Sequence, residues 1–501
     1  VDTLDWTAKW ADYTPEKIAI TSYDTNRSYT YSDLNRYANR LIEMLAELQL
    51  EEGDRIAVLA EHCLDYMVLF VACQRMGIII VPLNYRLSRK EIAKLILDCT
   101  PSLVIYNANH HDKVAALPQE NLKAVAFNAL RTFFEKAGSA SIKDVQIKAD
   151  NPLFIFYTSG TTGAPKGVIY TNKMLFWNSL NTSMQLGITF RDSTINILPP
   201  YHTSGWNVFV TPILHKGGHI GILEKFDAEK TLCLLELNKT TLFMALPTML
   251  LMMQKTPVFK KVDLKKLRYI ISGGENVPAE LISYWKKEKN ISIRPGYGLT
   301  EAGPSITSLH HKMAQLKPNS IGKPNFYLDV KIVDKKGVQV KPNEVGELCI
   351  KGDIVTPGYW NNSVKTSSKI KKGWFFTGDF AYADAEGFLY MKGRKNDMYI
   401  SGGENIYPQE VEAELEALQD IGKAVVLSIK DDKWGECGIA FVTTTNKDLS
   451  VTQIQEFLKP NLVAFKHPKY LFILDEIPLT SLGKVSRKQL YSYFNTLKSN
   501  P

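Results

Sequence analysis

Between residues 29 and 48 the hydrophobic pattern changes period. Alternation at YTYS gives way to Leu34, Tyr37, Ala38, Leu41, Leu45 and Leu48, which share one helical face. Ser32 reads as the N-cap of that helix. DRIAVLAEH (54–62) predicts a buried strand, 64–77 a second helix, and GIIIVPLN (77–84) another strand. LVIY (103–106) and PLFIFYTSG (152–160) continue the series. This rhythm is that of α/β layers with largely parallel sheets. After about residue 320 the pattern turns to short β segments. DVKIVDKKGVQV (329–340) predicts a hairpin closed at KKG, and GELCIKG and GFLYMKG are strand-like. From about residue 394 a helix (408–418), two strands (AVVLSI and GIAFVTT), a helix (451–458) and a strand (470–474) make a compact α+β unit. The expected fold is therefore α/β. A large N-terminal domain spans 1–393, with a β-rich part over about 320–393, and a small C-terminal domain spans 394–501.

Composition changes this picture little. The 501 residues are 45% hydrophobic and 22% charged, as in ordinary globular proteins. The formal charge of +8 is modest for this length and reads first as a soluble lysine-rich face, with anionic ligands or weak peripheral contact with an anionic membrane as the second reading. Clusters such as KKVDLKK (260–266) and KKEK (286–289) are mixed with apolar residues and read as solvated faces, not as a nucleic-acid arm. Cysteines at 63, 73, 99, 233, 349 and 437 have no metal-ligand or CxxC spacing, so buried, reduced thiols in a cytoplasmic protein are expected. No apolar run is long enough to cross a bilayer; the longest, at 66–82, is broken by Gln74 and Arg75.

One stretch carries chemistry. YTSGTTGAPKGV (157–168) follows a strand with glycines, hydroxyls and one lysine. Gly160, Gly163 and Gly167 leave backbone N–H groups bare; Thr158, Ser159, Thr161 and Thr162 offer hydroxyls, and Lys166 offers a positive charge. Together these groups suit phosphate oxygens, although by composition alone a flexible surface loop is the first reading. The standard P-loop does not fit, because Pro165 precedes the lysine and Gly167 follows it.

The order of residues in this loop closely resembles the signature of the adenylate-forming enzymes: acyl-CoA synthetases, luciferase and peptide-synthetase adenylation domains. Seven further segments stand in that family's order. They are LPPYHTSG (198–205), SGGENVP (272–278), YGLTEAG (297–303), GELCIKGDIVTPGYW (346–360), WFFTGD (374–379), GRKNDMYISGGENIYPQEVE (393–412) and LTSLGKVSRKQL (479–490). The resemblance implies an ATP-dependent acid–thiol ligase using Mg²⁺ and CoA. A carboxylate would attack the α-phosphate and expel pyrophosphate; a thiol would then displace AMP. Residues 158–163 and Lys166 would hold the β- and γ-phosphates. Thr300 would bond a phosphate oxygen and Glu301 would hold the metal. Tyr297 would stack on adenine beside Gly273, Gly274 and Glu275. Asp379 would bind the ribose, with Arg394 nearby. Lys484 would bridge the substrate carboxylate and the α-phosphate, and His202 would gate an acyl pocket shared with Thr203, Trp206 and Gly298.

In the family's second step the small C-terminal domain rotates. By the same resemblance, this would withdraw Lys484 and bring Ser401, Gly402 and Gly403 to a CoA tunnel. The hinge position, usually Asp or Lys, is Asn396 here. TSGWNVFV after His202 supplies apolar residues and no charge, so an apolar acid is expected, with a fatty acid first. An aryl acid, or a carrier protein as thiol acceptor, are the alternatives. Oligomeric state stays open.

Overall fold

The computed structural model describes residues 4–117, 122–136, 146–158, 165–274, 277–395, 397–401, 404–432, 434–480 and 485–499. They form two compact units, one of residues 1–330 and 350–375, the other of 331–349 and 376–501.

In the first unit, nine strands lie in the order Ser320–Pro324, Thr307–Ser308, Ile293–Tyr297, Tyr269–Ser272, Leu242–Met244, Ser193–Asn196, His219–Ile222, Ile18–Ser22 and Arg27–Thr30. The middle of this sheet is parallel. A second sheet runs Lys123–Ala126, Leu103–Tyr106, Arg55–Leu59, Ile79–Pro82, Pro152–Thr158 and Lys166–Thr171, parallel up to a final antiparallel hairpin. One apolar cluster joins Ile20, Ile220 and Ile222 of the first sheet to Ile56, Ile80, Phe154 and Phe156 of the second. The helix Leu64–Met76 is buried along nearly its whole length, which is why its sequence lacks an amphipathic period.

The helix expected after residue 29 runs Tyr31–Glu47 and buries Leu34, Ala38, Leu41 and Leu45. Its N-cap is Thr30, not Ser32. Thr30 accepts from Asp33 N, and Asp33 answers through the Thr30 backbone N–H, closing a capping box. Five cysteines are buried and Cys233 is exposed, so the expectation of burial fails at that one. Among the described residues no helix is long and apolar enough to cross a membrane.

The second unit holds residues 346–349, 376–383 and 389–394, taken from three strands that lie in that order. It also has a sheet of Glu404–Ile406, Tyr399–Ser401, Gly435–Thr444 and Ile421–Asp431, with Tyr470–Leu474 added in parallel on Gly435–Thr444. The helices Pro408–Glu416 and Val451–Leu458 contribute Val411, Leu415, Ile454 and Leu458 to its core. Compactness therefore draws the line elsewhere than residue 393. The hairpin Trp374–Ala383/Leu389–Arg394 is tied onward, with Lys395 N donating to Gly378 O and Lys392 reaching Glu410. The hairpin expected over 329–340 forms, through a Val333–Gln339 bridge.

Candidate active site

The phosphate-loop candidate closes a hairpin. Thr158 pairs with Lys166 and Tyr157 with Gly167. Ser159, Gly160, Thr161, Thr162 and Gly163 lie outside the described residues. Gly167 is required by packing, since a Cβ there would stand 2.7 Å from the Ile155 methyl. Its carbonyl accepts from Trp360 N at 2.7 Å, and Val168 bridges to Tyr359. The Tyr359 hydroxyl donates to Glu301 Oε1 at 2.8 Å, and Thr356 N donates to the Glu301 carbonyl at 2.7 Å. Residues 356–360 thus strap the lysine-bearing strand to the carboxylate. Burial first, then the Glu301 charge, pushes the Tyr359 phenol well above its ordinary range, so it stays a donor. Burial and the neighbouring Lys365 and Lys369 lower the pKa of Lys166, opposed in part by Glu301. Reading by resemblance missed Tyr359. Its signal was its place in the TPGYW end of a motif already singled out.

Glu301 sits in a single 3₁₀ turn, Thr300–Ala302, just after the strand Ile293–Tyr297. That turn is held by glycines. A Cβ at Gly298 would stand 1.9 Å from the Pro304 carbonyl oxygen. Gly303 has φ +58°, and its Cβ would lie 2.7 Å from Asn178 Oδ1. Gly298→Ala is expected to cost about 3 kcal/mol of stability, read by urea denaturation. An unchanged midpoint would mean that the Pro304 carbonyl moves aside freely. The neighbouring parallel strand Tyr269–Ser272 ends in Gly273 and Gly274. A Cβ on Gly273 would meet Gly296 O at 2.6 Å, and Gly274 has φ +84°. Gly273, Gly274, half-buried Tyr297, Gly298, Thr300 and Glu301 therefore gather at the carboxyl ends of adjacent parallel strands, where α/β sheets bind ligands. Glu275 lies outside the described residues.

His202 follows a third parallel strand of that sheet, Ser193–Asn196. Asn196 fixes the exit by donating to Gly205 O at 3.1 Å. The half-buried imidazole packs on Tyr201 at 4.8 Å, Tyr201 on Tyr85 at 5.2 Å, and Tyr85 on His110 at 5.4 Å. His110 contacts the buried Glu61 at 3.1 Å. Burial works to raise the pKa of Glu61, but hydrogen bonds from His110 and Asn107 prevail and hold it down to about 2. Arg86 stands close enough to Tyr201 to act on its phenol, a cation from a segment that the substrate argument did not weigh. Thr203 is buried and accepts from Asn207 Nδ2 at 2.9 Å. Asn178, beside Gly303, donates to the Asn207 carbonyl at 2.7 Å, so this segment and the Glu301 turn are pinned together. Trp206 is fully buried among His62, Tyr66, Phe70 and Phe154 and donates to Pro200 O, and Val208 and Phe209 lie in the same apolar cluster.

In the second unit Asp379 and Arg394 face each other across an antiparallel hairpin, with Arg394 Nε 3.5 Å from Asp379 Oδ1. Asp379 N donates to Thr377 Oγ1, and Gly378 turns at φ +82°. Ser401 is buried in the strand Tyr399–Ser401. Asn396, Gly402, Gly403 and Lys484 lie outside the described residues.

Comparison with known proteins fits this geometry. The model of the AMP-binding enzymes matches residues 7–360, and that of the AMP-binding enzyme C-terminal domain matches 410–484. A feruloyl-CoA synthase of Amycolatopsis sp. is 32% identical over 98% of both chains. The long-chain-fatty-acid–CoA ligase FadD13 of Mycobacterium tuberculosis is 31% identical over 97% of both. The structure of o-succinylbenzoate CoA synthetase (MenE) from Bacillus subtilis, in complex with the acyl-adenylate OSB-AMP, superposes with a TM-score of 0.88 at 28% identity, covering 97% of each chain. With both modules matched in order and relatives above 30% identity along nearly the whole chain, the chain belongs to the AMP-binding enzyme family, the adenylate-forming acid–thiol ligases.

Proposed function

We propose that the enzyme is an acyl-CoA synthetase. It joins a carboxylic acid to ATP, forming an acyl-adenylate and releasing pyrophosphate. The CoA thiol then attacks the acyl carbon, AMP leaves, and the thiol proton passes to solvent. The observation that carries this reading is the arrangement of Lys166, Glu301 and Tyr359. A cation on the last strand of the second sheet and an ordered carboxylate after a strand of the first are tied to one strap, residues 356–360.

That arrangement fits a hard cation. One Glu301 oxygen is held by Tyr359, which orients the carboxylate. Among the described residues no three His, Cys, Asp or Glu side chains cluster as a metal site, and Mg²⁺ characteristically takes one or two carboxylates together with substrate phosphates. When bound, it would neutralise charge on the phosphates. Lys166 would screen the leaving pyrophosphate, Tyr297 and the backbone of Gly273–Gly274 would seat adenine, and Asp379 with Arg394 would meet the ribose. Thr300, His202, Thr203 and Gly298 keep their proposed roles toward phosphate and acyl group. So do Lys484 in adenylation, Ser401–Gly403 toward CoA and Asn396 as the hinge.

For the acid we propose an apolar monocarboxylate, a medium- or long-chain fatty acid first. The fatty-acid ligase among its relatives supports this. The feruloyl-CoA synthase supports an aryl acid as the second reading. Each buried methylene contributes about 0.8 kcal/mol, so kcat/KM is expected to climb from acetate along the C2–C16 series and then level off. Benzoate, cinnamate and succinate belong in the same assay. A flat series with its maximum on an aryl acid overturns the fatty-acid choice. A maximum on succinate would assign Arg86 a role toward a second carboxylate.

A further inference from the structure

The helix Asn172–Leu186 buries more polar side chains than apolar ones. A helix that served only to fill space would turn an apolar face inward, so its buried amides need another account. Asn178 is fully buried and meets two segments at once. Its Nδ2 donates to the Asn207 carbonyl at 2.7 Å. Its amide also lies against Gly303, where a Cβ would stand 2.7 Å from Oδ1 and 3.2 Å from Cγ. Among the described residues nothing donates to Oδ1. A buried acceptor without a donor is a cost that leucine, of similar volume, would avoid. What asparagine adds at this position is therefore its N–H.

Both segments are held beyond that contact. Asn207 Nδ2 donates to Thr203 Oγ1 at 2.9 Å, and Asn207 Oδ1 accepts from Thr211 Oγ1 at 3.0 Å. Thr203 adjoins His202. On the other side, Gly303 closes the turn that carries Glu301. One helical turn beyond Asn178, Asn181 Oδ1 accepts from Tyr327 N at 2.8 Å. Asn325, two residues earlier, donates through Nδ2 to Ser305 O at 2.7 Å. The segment after Glu301 is thus tied to the same helix at a second point. A buried network of this kind makes its parts rigid.

The spacing that results matters to one step above all. In adenylation two separate molecules must meet, the acid on the His202 side and a nucleotide whose phosphates share a metal with Glu301. A misplacement of about 1 Å between reacting groups costs about 10² in rate. Once the acyl-adenylate exists, a covalent bond joins acid to nucleotide, and the protein no longer has to set the distance between them.

We propose that Asn178 is a positioning residue for adenylation, fixing the spacing between the Glu301 turn and the His202 segment without itself touching a substrate. This rests on the ATP-dependent reading above.

The test uses the full chain with Asn178→Leu, which keeps the volume and loses the N–H, and Asn178→Ser, which relieves the crowding at Gly303 and is too short to span to the Asn207 carbonyl. Single-turnover adenylation and thioester formation from supplied acyl-adenylate are measured on one preparation, so their ratio is independent of the fraction folded. In both variants adenylation is expected to slow by about 10², with KM for ATP and for the acid little changed and thioester formation close to wild type. Excess Mg²⁺ should not restore the rate, because the metal's position and not its affinity is altered. Wild-type adenylation overturns the proposal, as does rescue by Mg²⁺. Equal loss in both half-reactions, or a failure of both variants to fold, makes Asn178 structural and overturns it too. A wild-type enzyme that releases no pyrophosphate from ATP with any carboxylic acid overturns the ATP-dependent reading instead.

Discussion

Glu301→Gln is expected to slow adenylate formation by about 10²–10³ while leaving the fold intact. Gln is the same size, and its amide oxygen still accepts from Tyr359, so the strap through residues 356–360 keeps its anchor. The Thr356 bond goes to the backbone carbonyl and is indifferent to the change. What disappears is one negative charge at the point where a metal would sit between protein and phosphates. Single-turnover adenylation and thermal denaturation should therefore separate, with activity lost and stability kept. Mg²⁺ titration supplies a second readout, because the concentration for half-maximal rate should rise in the variant. Normal adenylation by the Glu301→Gln enzyme would remove this carboxylate from the metal site.

Lys484→Ala is expected to reduce adenylation by about 10²–10³ and to spare the second half-reaction. In the first step a carboxylate meets a phosphate, and negative charge gathers on the oxygens around the pentacoordinate phosphorus as the new P–O bond forms and the bond to pyrophosphate breaks. An ammonium group there stabilises the transition state more than the ground state. Once the mixed anhydride exists, that charge is gone, and the thiol attacks carbon instead. Acyl-adenylate supplied to the variant should be converted to thioester at close to the wild-type rate. Equal loss in both halves would make Lys484 a structural residue, and near-normal adenylation would end its assignment.

The strands named from the pattern were readable because they are buried on both faces and so appear as apolar runs, as in IIIV before Pro82. Helix ends were less legible. Ser32 and Thr30 both satisfy the rule for an N-cap, and only the reciprocal bond with Asp33 decides between them. Trp206 shows a second limit. The expectation set it beside the acid, and the run TSGWNVFV gave no sign that Ser204–Asn207 is helical or that the indole packs in the aromatic cluster around Phe154. Tyr359 shows a third. It lies some sixty residues from Glu301 and nearly two hundred from the Lys166 strand that it bridges, so no local pattern could pair them. The loop, the YGLTE turn and the TGD turn were legible because each concentrates its special residues in one short stretch.

The crowded glycines decide where new substrate ranges could be engineered. At Gly273, Gly298 and Gly303 even a methyl group would lie 1.9–2.7 Å from a backbone oxygen or a buried amide, so a mutant library spread over those positions would yield mostly misfolded protein. In the stretch 201–210 only His202 and Ser204 are not buried. A small library saturating those two positions would explore the acid's surroundings at little cost in stability, and variants with a changed preference should be found there first.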